Sequence, residues 1–390
     1  MTLLVLKRTF NLLMVFGILV CMLLLLMYSS VTITGTSENL KDSLTNQSLV
    51  DIKVANEIYT NNRTFRILWY NPPPFIKVHR RDAMSCRFQT CKYRNCEMSY
   101  DRTYANRSHA VIFDGRFMPP NLNFTRPDGQ IWIFAAHESP LTYSAGGNWW
   151  YRNKRYKFNW TMTYDKDNTD IFLPYGEILK REFEMRRDFK SIALNKSKTL
   201  LMIASHCQTH SKRQEYVNKL KRYIDVDVLG QCGKRWNCGI HYTHDEKCFQ
   251  VLNTSYKFYL AFENALCHQY VTEKFYENFN YDLIMLTRGG TKNESKTLYP
   301  EGTYIATEHF KSIKDLGTYL KNLSADEYAE MLKRKSQFYS PGYLKVYQRA
   351  LCDICERMNY QSKYSKTIKN IKEWAFGSHP CLQRKQVTDI

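Results

Sequence analysis

Between residues 199 and 334 short apolar runs alternate with amphipathic stretches, and no other feature restricts the fold of this chain so tightly. Runs at 199–204, 225–229, 258–262, 283–286 and 304–306 read as strands, and helical spacing fills 214–223, 270–279, 313–322 and 326–334. Strand–helix–strand repetition of this kind predicts a parallel, doubly wound α/β domain whose ligands bind beyond the carboxyl ends of the strands. Earlier runs at 65–70, 109–113, 130–135 and 158–163 also read as strands, separated by irregular loops at Pro72-Pro73-Pro74 and Pro119-Pro120. A chain of 390 residues exceeds what a single core of roughly 250–300 residues organises. Two α/β domains are therefore expected, with a boundary near 176–198 and a cleft between them.

The N-terminus sets the compartment. Lys7 and Arg8 precede an uncharged apolar run from 10 to 28, about as long as a bilayer core requires at about 1.5 Å per residue. The next basic residue is Lys41, so the N-terminal end is expected to face the cytosol. The expected order is a cytoplasmic tail at 1–9, a signal-anchor at 10–28 and a polar stem at 29–61. A domain at 62–176, a second at 177–358 and a C-terminal tail at 359–390 complete it. Nine N-x-S/T sequons accompany this layout. Asn46, Asn62, Asn106, Asn123, Asn195, Asn253, Asn293 and Asn322 are the expected glycosylation sites; Asn159 falls in strand pattern. Cys21 lies in the anchor, and eleven cysteines follow it, which in an oxidising lumen pair with at least one left over. Lys and Arg number 56 against 37 Asp and Glu, a net charge of +19. A basic protein seeks polyanions, and a lumen without nucleic acid leaves a phosphate-bearing small substrate as the expected partner. Oligomeric state is not legible.

Several residues carry chemistry at such a cleft. Glu138 follows an apolar strand directly, where a carboxylate can serve as general base, or simply sit on a surface loop. His137 beside it is bystander or partner. Arg213 and Tyr216 open the helix after the 199–204 strand, where an arginine can fork onto a diphosphate or remain solvated. Glu273 and Lys274 fall in the first turns expected after the 258–262 strand, a place that favours an anion. Trp149 and Trp150, after Gly146-Gly147, suit a sugar acceptor and suit a core equally. Asp225-Val226-Asp227 spells a metal-binding D-x-D, but Ile224, Val226 and Val228 alternate with the acids as in a half-buried strand. Cys352-x-x-Cys355 with His379 and Cys381 fits a zinc site in spacing, while an oxidising lumen favours a disulfide cluster tying the tail.

The longer segments resemble the Golgi α1,3-fucosyltransferases. FNWTMTY at 158–164, DIFLPYG at 170–176 and YKFYLAFENALCHQYVTEK at 256–274 carry the likeness. HAVIFDGR at 109–116, RPDGQIWIFAAHESP at 126–140, RQEYVNKLKRYIDVDVLGQCG at 213–233 and the stretch 304–320 support it in the same order. The resemblance implies a GT-B architecture, two Rossmann-like domains with GDP-fucose in the second. By matching positions it implies that Arg213 and Lys274 grip the diphosphate, that Asn264, Tyr270 and Glu273 line the donor pocket, and that Glu138 is the base for the acceptor's 3-hydroxyl. Inversion at the anomeric centre then needs no essential metal, with manganese left as a stimulatory partner of the diphosphate.

The chain departs from the family pattern in three places. The segment 165–170 is one residue longer than usual and lacks its arginine, His206 stands in a usual Ser-Asn-Cys, and His137 replaces a phenylalanine. These leave the acceptor open among N-glycan core GlcNAc, LacNAc and LacdiNAc ends. A transferase using another nucleotide sugar and a silent glycan-binding scaffold are the rival readings.

Overall fold

The computed structural model describes residues 63–74, 76, 88–119, 121–145, 156–236, 246–290, 294–377 and 380–389. The expected anchor and stem, Trp149, Trp150, Cys86, Cys238, His379 and the sequons at Asn46, Asn62 and Asn293 lie outside the described residues. Among the described residues no helix is long and apolar enough to cross a membrane.

Six strands form the first sheet: β1 (Phe65–Trp69), β2 (Cys96–Ser99), β3 (Ala110–Asp114), β4 (Ile131–Ala136), β5 (Trp160–Thr163) and β6 (Ile171–Phe172). Their order is β2-β1-β3-β4-β5-β6 and every pairing is parallel. All residues of β3 and β4 are buried, as central strands covered on both faces must be. Asp114 lies opposite Ala135, so these two strands end side by side.

A short β7 (Leu179–Lys180) leads to the second sheet, made of β8 (Lys198–Ile203), β9 (Val226–Leu229), β10 (Tyr256–Phe262), β11 (Ile284–Arg288) and β12 (Tyr304–Ala306). Its order is β12-β11-β10-β8-β9, again all parallel. One face packs on the helices Phe189–Leu194, Arg213–Leu220, Ile313–Asn322 and Ala325–Lys335. The other is covered by the helix Glu246–Ser255 and an aromatic layer that includes Phe275 and Phe279. Helix Ala325–Lys335 opens with a Ser324–Glu327 capping box and ends on Lys333, Arg334 and Lys335, which suits its dipole at both ends. The parallel α/β class expected from the alternation is present in both sheets.

The expected helix at 270–279 is a single turn, Glu273–Tyr276. Gln269 takes a left-handed φ of 51° and Thr272 is extended, with φ −109° and ψ −174°, so the helix starts only at Glu273; the Thr272 N–H donates to Glu263 Oε1 at 2.8 Å.

Beyond β13 (Phe338–Tyr339), which pairs antiparallel with β7, the chain returns to the first sheet. Helix Tyr343–Asn359 buries Val346, Tyr347, Ala350, Leu351, Ile354, Cys355 and Met358, one continuous stripe. Cys352 and Cys355 form disulfides with Cys91 and Cys96 next to β2, and Ile371 and Ala375 of the helix Ile371–Gly377 complete the first sheet's core. What reads in sequence as the end of the second domain is thus held on the first sheet. The zinc alternative is overturned, because both cysteines of the C-x-x-C are in disulfides, and so is Cys381, with Cys267. The disulfide reading holds, but in two places: Cys91–Cys352 and Cys96–Cys355 join the same two segments, while Cys267–Cys381 ties the tail. Cys207–Cys232 makes a fourth bond.

Of the described sequon residues, Asn106, Asn195 and Asn322 are exposed. Asn123 accepts from the Tyr70 hydroxyl and Asn253 from the Asp282 N–H, whereas Asn159 ties Trp132 to Lys366 at the start of β5.

Cys91–Cys352 and Cys96–Cys355 close nearly the same loop, with separations of 261 and 259 residues, so replacing all four cysteines by alanine is expected to lower stability by about 2–4 kcal/mol, and either pair alone by much less. Chemical denaturation of the oxidised protein measures it; an unchanged midpoint in the fourfold variant would show that these bonds do not hold the returning helix.

Candidate active site

Parallel strands bring their carboxyl ends to one edge, and here the two sheets direct those edges at a common cavity of about 1180 Å³. From the first sheet come Asp114 at the end of β3, Arg116 and Phe117 just after it, and His137 and Glu138 after β4. From the second come residues 203–206 after β8, Gly230 and Gly233 after β9, Asn264 after β10, and Glu273, Lys274 and Glu277. Gly230 has φ +95°, and a Cβ there would stand 2.6 Å from the Ala204 carbonyl oxygen, so only glycine lets these strand ends close the floor.

Glu138 is a point where the halves touch. Its Oε1 accepts from Arg116 Nη1 at 3.3 Å, while Oε2 accepts from Asn264 Nδ2 at 3.3 Å and the Tyr270 hydroxyl at 3.0 Å. About a quarter of its side chain stays open, 26%. Three donors around one carboxylate fix its direction without closing access to it.

The neighbouring acid behaves differently. Asp114 is 3% exposed, and burial pushes its carboxyl up to about 7, against the pull of the Arg116 and Phe117 N–H groups. His137 is buried between Tyr175 and Tyr343: its carbonyl accepts from the Tyr175 hydroxyl and its Nε2 meets the Tyr343 hydroxyl at 2.9 Å. Burial pulls this imidazole down to about 3, so it is neutral and serves as packing behind Glu138.

The second half supplies positive charge. Lys274 Nζ lies 2.9 Å from Glu273 Oε1, 2.8 Å from Thr272 Oγ1 and 3.4 Å from Glu263 Oε2. Burial works against its charge, but Glu273 and then Glu263 outweigh that and hold it above its ordinary value. The helix-terminus argument for an anion here is corrected: the helix is one turn long, and the Thr272 N–H belongs to Glu263. Arg213 is 3% exposed rather than solvated; Nη1 donates to the Phe262 carbonyl and Nη2 to the His206 carbonyl. Its fork is thereby directed at backbone, while its charge still borders the cavity. Tyr216 is buried under the Arg288 guanidinium, away from the cavity lining.

Of the residues singled out in sequence, Glu138, Arg213, Asn264, Glu273 and Lys274 line one cavity. Tyr270 is buried against Tyr164 and Tyr175 and reaches the site only through its hydroxyl on Glu138. Asp227 is held by Lys234, Tyr256 and Lys198, with Lys234 foremost in drawing its carboxyl down to about 2, and neither acid of the D-x-D lines the cavity. Among the described residues, Asp165, Asp167 and His268 bring three donor atoms within 4.8 Å, but they too lie outside the cavity lining. That grouping belongs to a second contact between the halves, where the Gln269 side chain accepts from the Lys166 N–H and donates to Asp167. Asp114, Arg116, Phe117 and the buried Asn71 behind them were not flagged by spacing, since their contacts span 20 to 50 residues or run through backbone atoms.

Asp114 has a measurable signature. The folded protein keeps its proton to about 7 while the unfolded chain releases it near 3.8, so stability falls as pH rises through that window. His137 acts oppositely, being neutral down to about 3 against 6.5, so it costs stability as pH falls. Asp114→Asn keeps an acceptor for the Arg116 N–H and removes only the first effect. Its thermal midpoint is expected to gain on wild type steadily from about pH 4 to about pH 7; parallel curves would dismiss Asp114 as a buried acid.

Two family descriptions cover this architecture. "Fucosyltransferase, N-terminal" matches residues 62–176, and "Glycosyltransferase family 10 (fucosyltransferase) C-term" matches residues 193–374. An α-(1,3)-fucosyltransferase of Caenorhabditis elegans is 32% identical over 318 residues, covering 77% of this chain and 68% of that protein. Alpha-(1,3)-fucosyltransferase C of Drosophila melanogaster is 30% identical over 318 residues, 74% of this chain and 71% of its own length. Glycoprotein 3-alpha-L-fucosyltransferase A of the same fly is 26% identical over 355 residues, 88% of this chain; the chain spans 66% of that protein. A crystal structure of an α1,3-fucosyltransferase aligns over 79% of this chain and 93% of that one at 13% identity, with a TM-score of 0.47. That last likeness is slight, and the architecture rests on the strand orders given above. Matched in both halves and by relatives along most of its length, the chain belongs to the fucosyltransferases of glycosyltransferase family 10.

Proposed function

We propose that this chain moves L-fucose from GDP-β-L-fucose to the 3-hydroxyl of a GlcNAc residue in a glycoprotein glycan, as a GT-B enzyme with inversion at the anomeric carbon. The observation that carries this reading is Glu138, open to the cavity at 26% and held by donors from both halves. Arg116, Asn264 and Tyr270 orient the carboxylate, so that it takes the proton from the acceptor hydroxyl as that oxygen attacks. Inversion needs one in-line displacement, and the departing GDP gathers negative charge on the opposite side.

Lys274 and Arg213 meet that charge. Lys274 is paired with Glu273 and Glu263, which keeps it protonated and aimed at the cavity. Glu273 is placed to take donor hydroxyls or the positive charge developing on the fucose. Arg213 acts through its charge, since Nη1 and Nη2 are on carbonyls. With cationic side chains on the leaving-group side the reaction has no need of an essential metal, and a divalent cation acts at most as a stimulant of diphosphate binding. The apolar run at 10–28 and the sequons support a single-pass, type II Golgi membrane protein with its catalytic body in the lumen.

Glu138→Gln keeps the shape of the site and loses the base. Transfer is expected to fall by about 10²–10⁴-fold with GDP-fucose binding retained, as read by mass spectrometry on free N-glycans, LacNAc and LacdiNAc acceptors; transfer within tenfold of wild type would remove Glu138 as base. In the same assay wild-type activity is expected to survive a chelator, and its abolition, restored by manganese, would reassign the leaving-group chemistry to a metal.

A further inference from the structure

One part of the cavity wall has no role in the reaction as described. The single turn Gly115–Phe117 follows β3 and places a phenylalanine ring in the cleft, 43% exposed. Isolated exposed apolar residues are common on protein surfaces and need no explanation. This one differs in how firmly its backbone is held. Asn71, itself 4% exposed, donates from Nδ2 to the Phe117 carbonyl at 2.7 Å and to the Asp114 carbonyl at 3.0 Å, and its Oδ1 accepts the Asp114 N–H at 2.8 Å. Asp114 Oδ1 in turn accepts the Arg116 N–H at 3.0 Å. Gly115 sits so close to the sheet that a Cβ would lie 2.6 Å from the Phe134 ring. Four buried or partly buried hydrogen bonds and a glycine contact therefore fix the backbone turn that carries a ring left largely uncovered.

The same turn reaches the base. Arg116 places its guanidinium carbon 5.5 Å from the Phe117 ring centre and its Nη1 3.3 Å from Glu138 Oε1. Ring and carboxylate are thus separated by one guanidinium. Pro73 and Pro74, at the end of the neighbouring β1, add apolar wall on the same side of the cavity. A pyranose has a C–H face that packs on an aromatic ring and a rim of hydroxyls that do not. A sugar lying on Phe117 keeps its rim free for the nearby carboxylate, and it covers apolar surface that is otherwise wet.

We infer that Phe117 is an acceptor-binding residue, the platform on which the sugar ring of the acceptor stacks beside Glu138. This rests on the fucosyl-transfer reading and extends it to the acceptor side, with Asn71 and Asp114 as positioning residues for the platform. Nothing in the residue pattern around 114–117 announces this, because the exposure of Phe117 and the bonds that hold it exist only in the fold.

The test uses Phe117→Ala and Phe117→Tyr in the whole lumenal chain, with GDP-fucose as donor and LacNAc or a chitobiose-core N-glycan as acceptor. Loss of ring stacking is expected to raise the acceptor KM about three- to tenfold in Phe117→Ala, with the donor KM unchanged and the acceptor KM restored in Phe117→Tyr. An acceptor KM that does not move, or one that rises together with the donor KM and is not rescued by tyrosine, overturns the assignment. Saturation-transfer NMR of the same oligosaccharides on the GDP-loaded protein reads the platform without turnover. Ring-proton signals present in wild type and lost in Phe117→Ala support it, and equal signals in both overturn it. A wild-type protein that binds the saccharide yet transfers no fucose sinks the reading of the reaction while this comparison still decides the role of Phe117.

Discussion

The carboxylate of Glu138 joins two halves of the molecule, beside a small apolar cluster in which Leu141 and Tyr164 of the first meet Ala265, Cys267 and Tyr270 of the second. Each sheet has its own core, and the cavity between them has its width set by contacts that cross it. Arg116 comes to this carboxylate from the first sheet, and Asn264 and Tyr270 come from the second. Hydrogen bonds to a charged acceptor are about twice as strong as neutral ones, so these three help to tie the two strand edges together. The bonds that orient this carboxylate therefore also help to position the halves. A substitution at Arg116, Asn264 or Tyr270 acts on both at once.

Burial around this junction sorts the remaining polar groups by charge. His137, behind Glu138, is kept neutral, so no cation competes with Arg116 for the carboxylate. Asp114, one strand away, is pushed toward its protonated form by burial, so less negative charge gathers beside Glu138. Across the cavity Lys274 is kept charged by Glu273 and Glu263. The result is a cleft with one open carboxylate, Glu138, beside Arg116 on one wall, and Lys274 and Arg213 beside Glu273 and Glu277 on the other.

Strand cores and strand ends were the legible part of this molecule. A fully buried parallel strand such as β4 is a continuous apolar run, and an acid placed directly after it, like Glu138, is fixed at the sheet edge by the run itself. Lys274 was found for a reason that proved partly wrong. The residues are helix-compatible from Tyr270 onward, but Glu263 from the preceding strand takes the first free N–H, and no local pattern encodes that contact. Arg213 reads as a solvated helix arginine and is buried, because the carbonyls that receive it belong to Phe262 and His206. Helix Tyr343–Asn359 is legible, since its apolar positions recur every three or four residues around the C-x-x-C. The turn after β3 was not legible, since what matters there is which side chain is left uncovered once Asn71 and Asp114 have met.

The return of the chain to its first sheet has a consequence for the order in which this protein is made. Strands β1 to β6 emerge from the ribosome long before the helices Tyr343–Asn359 and Ile371–Gly377 that cover them. Through most of translation the early sheet has an open flank and two cysteines without their final partners, Cys91 and Cys96. The later sheet takes its helices from the residues just around it, but Cys267 and Arg288 of that half still wait for Cys381 and Asp389. Both halves are thus completed only by the last residues made, the first by two helices and the second by a disulfide and an ion pair. A ribosome that stops short of Cys352 leaves a nascent chain with an open first sheet and with Cys91, Cys96 and Cys267 all without their final partners.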